Sequence, residues 1–253
     1  MKARRRLDVL LVERGLAVSR ERARALILAG QVRVDGQPAN KAGTSIDAAA
    51  TVTVDTPDHP WVSRGGIKLA HALETFAIDV TGRLALDIGA STGGFTDVLL
   101  QRGARRVVAL DVGHGQLDWK LRRDPRVVVR EHVNARHLSA ADLPEDSRAF
   151  GIVTIDVSFI SLRLILPVVP PLLNEDGDVV ALVKPQFEAG RSEIGTGGIV
   201  RDAAVHRRVV DDVAGAADAL GLHPVAVIAS PIHGMEGNLE FLMHLRHPHR
   251  STS

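Results

Sequence analysis

Four residues of this sequence could do chemistry together. Lys68 stands in SRGGIKL, Asp156 closes the run IVTID, Lys184 closes VVALVK, and Glu240 sits in GNLEF. Each alone is an ordinary strand-end lysine or acid. Two lysines and an acid at the carboxyl ends of neighbouring strands, with a second acid on the last strand, form a set able to hold and move a proton. Such a set suits group transfer to a ribose 2′-hydroxyl. That hydroxyl is a weak acid, so its proton must leave as its oxygen attacks, and an amine takes it up only when neutral. A second cation nearby opposes protonation of a lysine and a neighbouring carboxylate favours it, so the environment must balance the two. Lys184 is the candidate proton acceptor, directly or through a shared network, with Asp156 to orient it. Lys68 and Glu240 would position the ribose and stabilise developing charge. Glu188, in KPQFE, is a rival acid to Glu240.

The donor's place is marked by LALDIGASTGGFTDVLL, a buried strand, a glycine turn and a helix. The turn Gly89-Ala90-Ser91-Thr92-Gly93-Gly94 is neither G-x-G-x-x-G nor a phosphate-binding loop ending in G-K-[ST]. Asp87 lies beneath it. An acid under a glycine turn suits a cationic amino-acid moiety better than a pyrophosphate, and the glycines let backbone approach a ligand closely. Asp111, at the end of the next strand, can accept from both hydroxyls of a ribose, and Asn134, after the third, can read an adenine edge. The expected cofactor is S-adenosylmethionine, held by Asp87, Gly89, Ala90, Ser91, Gly93, Gly94, Phe95, Asp111 and Asn134, with Asp156 bordering the same pocket. A sulfonium is already a good leaving group, so no metal is expected.

The elements that position these residues alternate strand and helix. Strands are predicted at RLALDIG, RRVVALDV, RVVVRE, FGIVTIDV, DVVALVK, PVAVIAS and LEFLMHL, with helices between most of them, including GGFTDVLLQRG and DAAVHRRVVDDVAGAADALG. Apolar strands separated by helices predict a mainly parallel sheet covered on both faces. The short connection SPIHGMEGN makes the last two strands an antiparallel hairpin. Six strands and a final antiparallel one are the layout of the Rossmann-like methyltransferases, an α/β fold with a seven-stranded sheet. The glycine-rich stretch GRSEIGTGGIVRD is a loop that either closes over the site or lies plainly on the surface.

The first 55 residues read differently. RLDVLLVERG and RERARALILAG are helices, the second capped by Ser19, and Gly15 and Gly30 stop them. QVRVDGQPANK carries a hairpin signal at Asp35-Gly36, and ATVTVD is another short strand. The result is a small α+β domain over residues 1–55. Basic residues crowd it, among them Lys2, Arg4, Arg5, Arg6, Arg14, Arg20, Arg24, Arg33 and Lys41. On charge alone this is as much a solvated surface as a nucleic-acid site. A linker at 56–63, rich in proline, leads to the larger domain at 64–248, and Trp61 is expected to pack rather than to stack on a base.

Two resemblances bear on these segments. The first segment, with its RLD opening, RGL, SR before the second helix and G-x-V-x-V-x-G, resembles the S4 RNA-binding domain. That resemblance implies a structured-RNA partner gripped through phosphates and shape, with Arg4, Arg5, Arg6, Arg14, Ser19, Arg20, Arg24, Arg33 and Lys41 as contacts. The whole chain, through S-R-G-x-x-K-L, L-D-I-G-A-S-T-G-G-F-T-D, D-V-G-x-G-Q-L, D-V-S-F-I-S, L-V-K-P-Q-F-E, G-x-G-G-x-V-x-D and G-N-x-E-F, resembles the TlyA (hemolysin A) family, an S4 domain joined to an FtsJ-like catalytic domain. The resemblance implies 2′-O-methylation of cytidine in small- or large-subunit rRNA within ribosomal subunits, with a lysine-aspartate-lysine-glutamate set at Lys68, Asp156, Lys184 and Glu240. At His59-Pro60 the chain departs from the linker pattern of that family.

Composition narrows the alternatives. The sequence holds no cysteine, which removes disulfides, thiolate metal sites and a cysteine nucleophile. Its net charge is only +1, so any nucleic-acid affinity rests on local clustering. Asp8 and Glu13 interrupt a signal-peptide core, and LRLILPVVPPLL, the most apolar run, holds three prolines. A cytoplasmic protein without membrane contact is expected, a monomer by preference. Base N-methylation is a rival reading, since Asp156-Val157-Ser158-Phe159 loosely matches the D/N-P-P-Y/F motif, but the prolines are missing and the lysines are added. A non-catalytic ribosome-assembly factor and a membrane-lytic protein are weaker rivals.

Overall fold

The computed structural model describes residues 4–17, 19–28, 30–54, 59–147, 149–234 and 237–247. They form two compact units divided between Pro60 and Trp61. Lys2, residue 55 at the end of the expected first domain, residues 56–58 of the expected linker and residue 248 lie outside the described residues.

The first unit runs β1 (Arg4–Arg6), α1 (Leu7–Glu13), α2 (Arg20–Leu28), β2 (Val32–Val34), β3 (Gln37–Pro38), β4 (Ser45–Asp47) and β5 (Val52–Val54). Leu7, Leu10 and Leu11 of α1 pack on Ala23, Leu26 and Ile27 of α2 and on Val32 and Val52, giving this unit its own core. Asp35-Gly36 turns β2 into an antiparallel hairpin with β3, and β5 pairs on the other side of β2. Ser19 caps α2 by accepting from the Arg22 amide at 3.1 Å. The antiparallel pair β1–β4 was not foreseen; it pins Arg4, Arg5 and Arg6 against Asp47, Ile46 and Ser45.

The second unit runs α3 (Gly65–Thr75), β6 (Leu84–Ile88), α4 (Gly94–Gln101), β7 (Arg106–Leu110), α5 (Trp119–Arg123), β8 (Val127–Arg130), β9 (Phe150–Ile155), β10 (Leu173–Val183), α6 (Pro185–Glu188), α7 (Ala203–Asp218), β11 (His223–Ala229) and β12 (Phe241–Arg246). The strands form the expected seven-stranded sheet in the order β11-β12-β10-β9-β6-β7-β8. β6 through β10 pair in parallel, and β12 runs antiparallel to both β10 and β11. The central strands are buried on both sides, and alternate side chains feed a core on each face. Leu86 and Ile88 share one core with Val209 and Val213 of α7, while Ala85 shares the other with Leu69 of α3 and Val98 and Leu99 of α4. The segment between β9 and β10 is not an α-helix. It forms three short 3-10 turns, at Leu162–Leu164, Leu166–Val168 and Pro170–Leu172, because Pro167, Pro170 and Pro171 remove the amides a longer helix needs.

Trp61, Val62 and Ser63, from the span expected as a linker at 56–63, fall within this second unit. Trp61 lies over Gly66 at the start of α3, and the Val62 amide donates to Asp97 Oδ2 of α4 at 2.8 Å. The loop at 190–202 is tied down through Glu193, which pairs with Arg208 of α7 at 2.6 Å.

Candidate active site

The sheet register brings the chemistry to one edge. Ile88 pairs with Ile155, Ile155 with Ala181, and Val183 with Phe241. Gly89, Asp156 and Lys184 therefore emerge side by side from the carboxyl ends of β6, β9 and β10. Glu240 joins them because β12 runs the other way and begins where β10 ends. β6 is followed outward by β7 and β8, whereas β9 and β10 lie on its other side. The edge is thus the switch point at which open α/β sheets bind ligands. Lys68 reaches it from the first turn of α3. These residues line a cavity of about 370 Å³.

Inside it the four groups form two ion pairs. Lys68 Nζ donates to Glu240 Oε2 at 2.5 Å. Lys184 Nζ lies 2.6 Å from Asp156 Oδ1 and donates to Ser158 Oγ at 2.9 Å. Lys68, Lys184 and Glu240 are buried, and a charge so placed without a partner would cost several kcal/mol. The pairing makes the burial tolerable and fixes each nitrogen. Glu188 is directed elsewhere: it accepts from Ser161 Oγ at 2.5 Å and from the Leu162 amide at 2.6 Å, and burial raises its carboxyl above the usual range. The acid facing the cavity is Glu240.

The glycine turn has the shape a closely held ligand requires. Gly89 has φ +86°, and a Cβ there would overlap the Asp156 carbonyl oxygen. Gly93 sits under Leu117 and Leu121, with no room for a side chain. Gly89, Ala90, Ser91, Thr92, Gly94 and Phe95 line the cavity; Gly93 does not. Asp87 does not line it either. It is fully buried beneath the turn, accepting from Thr96 Oγ1 at 2.6 Å and Thr154 Oγ1 at 2.9 Å. Burial pushes its carboxyl up to about 6, against the pull of the two hydroxyls. Asp111 accepts from the Ser91 amide at 2.8 Å and the Gly113 amide at 2.7 Å. It borders a smaller recess that shares Ala90 and Ser91 with the cavity and adds Gln116 and Glu131. Asn134 lines neither space. Its Oδ1 caps the 3-10 turn at Ala135–His137, accepting from the Arg136 amide at 3.0 Å, so the adenine-reading role expected of it has no support in its position.

A sulfonium amino-acid cofactor fits these surroundings. The cavity volume lies within the span of small-molecule sites, about 300–1,000 Å³. Carboxylates lie below and beside the turn, and Gln186 Oε1, in the cavity wall, is a buried acceptor with no hydrogen-bond partner. Several lining residues were not foreseen: Ser63, Arg64, Ser158, Phe159, Gln186 and Phe187. They sit within the quoted runs SRGG, DVSFIS and KPQFE, so their proximity to the four charged residues was the available signal.

In the first unit the arginines gather on one acid. Asp8 is fully buried, and Arg6 at 3.0 Å, Arg20 at 3.1 Å and Arg24 at 3.4 Å all reach its Oδ2. Arg6 above all, with Arg20, holds this carboxyl far below its ordinary range, against the effect of burial. Three guanidinium groups share one carboxylate, so the cluster keeps a positive excess, and each guanidinium side chain is about half exposed. Other expected RNA contacts are partly engaged in the fold. Arg14 donates to Ala48 O at 2.7 Å and Ala50 O at 2.8 Å, Arg4 donates to Ser45 O at 2.5 Å, and Arg5 lies 4.0 Å from Glu13. Ser19 spends its hydroxyl on the cap. Lys41 is exposed, and Arg33 is half-buried on β2.

Residues 61–247 match the FtsJ-like methyltransferase family and residues 5–52 the S4 domain. The chain is 51% identical over 247 residues to the 16S/23S rRNA (cytidine-2′-O)-methyltransferase TlyA of Mycobacterium tuberculosis, covering 97% of this chain and 91% of that one. It is 40% identical to Hemolysin A of Brachyspira hyodysenteriae, covering 94% of this chain and 98% of the relative. Among solved structures, "Putative hemolysin from Streptococcus thermophilus" superposes with a TM-score of 0.75 at 45% identity, covering 97% of this chain and 89% of the other. With a paired lysine–carboxylate cavity at the switch point of a seven-stranded sheet and this similarity along nearly its full length, the chain belongs to the TlyA (hemolysin A) family of S4-containing FtsJ-like methyltransferases.

Proposed function

We propose that this protein methylates the 2′-hydroxyl of a cytidine ribose in ribosomal RNA, using S-adenosylmethionine. The observation that carries the reading is the pair of buried lysine–carboxylate couples, Lys68–Glu240 and Lys184–Asp156, facing one cavity beside the glycine turn. When bound, the cofactor supplies an electrophilic methyl carbon on a sulfur that leaves as a neutral thioether. Gly89, Ala90, Ser91, Gly94 and Phe95 would border it, Asp111 would accept from its ribose hydroxyls, and Asp87 would support the turn from below. Lys68 and Glu240 hold the substrate ribose. The 2′-oxygen forms its new bond to carbon as its proton passes into the Lys184–Asp156 pair. Lys184 accepts that proton on Nζ after yielding one of its own to Asp156, so the pair goes from neutral to +1 as the sulfonium's positive charge disappears. Lys68 stays close enough to Glu240 to steady the negative charge that grows on the oxygen. Phe159, largely exposed at the mouth, and Phe187, 5.1 Å from it, offer ring faces to the base of a nucleotide drawn out of its stack. The positive excess around Asp8 supports a phosphate-gripping role for Arg6, Arg20 and Arg24.

The test is transfer of tritium from labelled cofactor to isolated small and large ribosomal subunits lacking the modification, followed by alkaline hydrolysis of the labelled RNA. Ribose methylation leaves one linkage uncut at a cytidine. Labelled RNA with an unbroken hydrolysis ladder would instead mean base methylation, and unlabelled RNA would remove the activity.

A further inference from the structure

The most exposed apolar side chains of the second unit gather near the catalytic edge of the sheet. Among its described residues the three most exposed are Phe159 at 88%, Val112 at 69% and Trp119 at 62%. Phe159 lines the cavity and Val112 follows Asp111. Trp119 opens α5, which is built onto the glycine turn: Leu117 and Leu121 pack against Gly93, and the Asp118 amide donates to Thr92 O at 3.2 Å. α5 buries Leu121 and exposes Trp119, Lys120, Arg122 and Arg123. Arg122 is paired with Glu131. Among the described residues neither Lys120 nor Arg123 meets a carboxylate. The Arg123 guanidinium stands instead 5.6 Å from the centroid of the Trp119 ring.

A large ring left in water beside unneutralised cations matches a ligand with flat apolar faces and negative charge. Unpaired nucleotides have both: a base that stacks on indole or guanidinium, and phosphates that attract ammonium. A protein partner of matching charge would be acidic, and nothing about the indole favours it over a base. We propose that Trp119, Lys120 and Arg123 form an RNA platform on the methyltransferase unit. It stacks an unpaired base of the ribosomal RNA next to the target and binds the flanking phosphates. The proposal rests on the RNA substrate assigned above and adds a docking surface to it.

Trp61 and Trp119 are the only tryptophans, so fluorescence reports on the site directly. A short single-stranded oligocytidine should quench the emission of the full-length protein, and Trp119→Phe should abolish that change. With unmodified ribosomal subunits, Trp119→Ala should raise KM about tenfold, the loss of one stacked base, with kcat and cofactor affinity within about twofold. Trp119→Phe should recover most of the KM, because a phenyl ring still stacks. Lys120→Gln with Arg123→Gln should flatten the dependence of KM on salt. Unchanged KM in Trp119→Ala, or cofactor binding weakened as much as RNA use, would overturn the platform. Quenching without any methyl transfer by the native protein would sink the catalytic reading and spare the platform; transfer without quenching would do the reverse.

Discussion

Lys184 touches both Asp156 and Ser158, whereas among the described residues the partner of Lys68 Nζ is Glu240. That difference is why the proposed mechanism passes the proton to Lys184, the amine with a second exit for it. Lys184→Ala should lower kcat by about 10²–10⁴-fold, the usual contribution of a positioned acid–base group, with cofactor affinity changed less than about threefold in calorimetry. Lys184→Arg should not rescue it, since a guanidinium does not give up its proton. Asp87 permits a prediction of opposite sign. Its carboxyl titrates near 6 when folded and near 3.8 as an ordinary aspartate, so between those values the native state binds the extra proton. Stability from this group is therefore present below about pH 4 and is lost as pH rises through 6. Asp87→Asn should raise stability to urea by about 1–3 kcal/mol at pH 7.5, with the gain vanishing by pH 4, while weakening cofactor binding. Equal urea midpoints for the two proteins across that range would refute it. Asp156, Lys184 and Glu240 were readable because strand ends display their side chains along one edge, whereas Lys68 was marked only by its place in the run SRGGIKL before the first strand of the large sheet. Which carboxylate each amine meets was not readable, because it depends on loop conformation. The same limit explains why Glu188 looked equivalent to Glu240 and why Asn134 looked available.

At the level of elements, strand assignments followed from apolar runs flanked by turns, and every strand of the large sheet was legible that way. Two features were not. Three consecutive arginines carry no apolar alternation, so β1 is defined by its partner β4 rather than by its own residues. The proline-rich run reads as apolar, and only its spacing of prolines decides for 3-10 turns. The pairing of α1 with α2 was legible as two amphipathic helices, but the acid that joins them was not. Asp8 looked like a break in an apolar stretch, yet it is the point on which Arg6, Arg20 and Arg24 converge. Asp8→Asn should destabilise the first unit by about 1–2 kcal/mol at low salt, a figure reduced for the half-exposed arginines. Because this carboxyl is depressed in the folded state, its contribution is full above the ordinary aspartate range and fades as pH falls below it. The variant and the native protein should therefore converge in acid denaturation. The variant should also bind RNA more weakly despite its higher positive charge, since the guanidinium groups lose their common anchor. Tighter binding would mean that charge alone, not arrangement, governs the contact.

Over the whole molecule, charge and core are distributed unequally. The net charge of +1 gives no general attraction to RNA, while the arginine cluster is confined to the first unit. Each unit also packs a core of its own, and Trp61 and Val62 are fastened to α3 and α4. A chain beginning at Trp61 keeps every residue that lines the cavity. Such a fragment should unfold in one cooperative transition and bind S-adenosylmethionine with an affinity within about threefold of the full protein, since area and partners at the site are untouched. Its use of ribosomal subunits should fall far more, because phosphate contacts dominate affinity for RNA and carry its salt dependence. If Arg6, Arg20 and Arg24 each neutralise one phosphate, removing them should reduce the slope of log KM against log salt by about two, at roughly 0.7 per contact. Measuring KM for unmodified subunits at several salt concentrations, with the full chain and the fragment in parallel, reads that slope directly. Parallel lines would place the phosphate contacts in the methyltransferase unit, where Lys120 and Arg123 would then account for them.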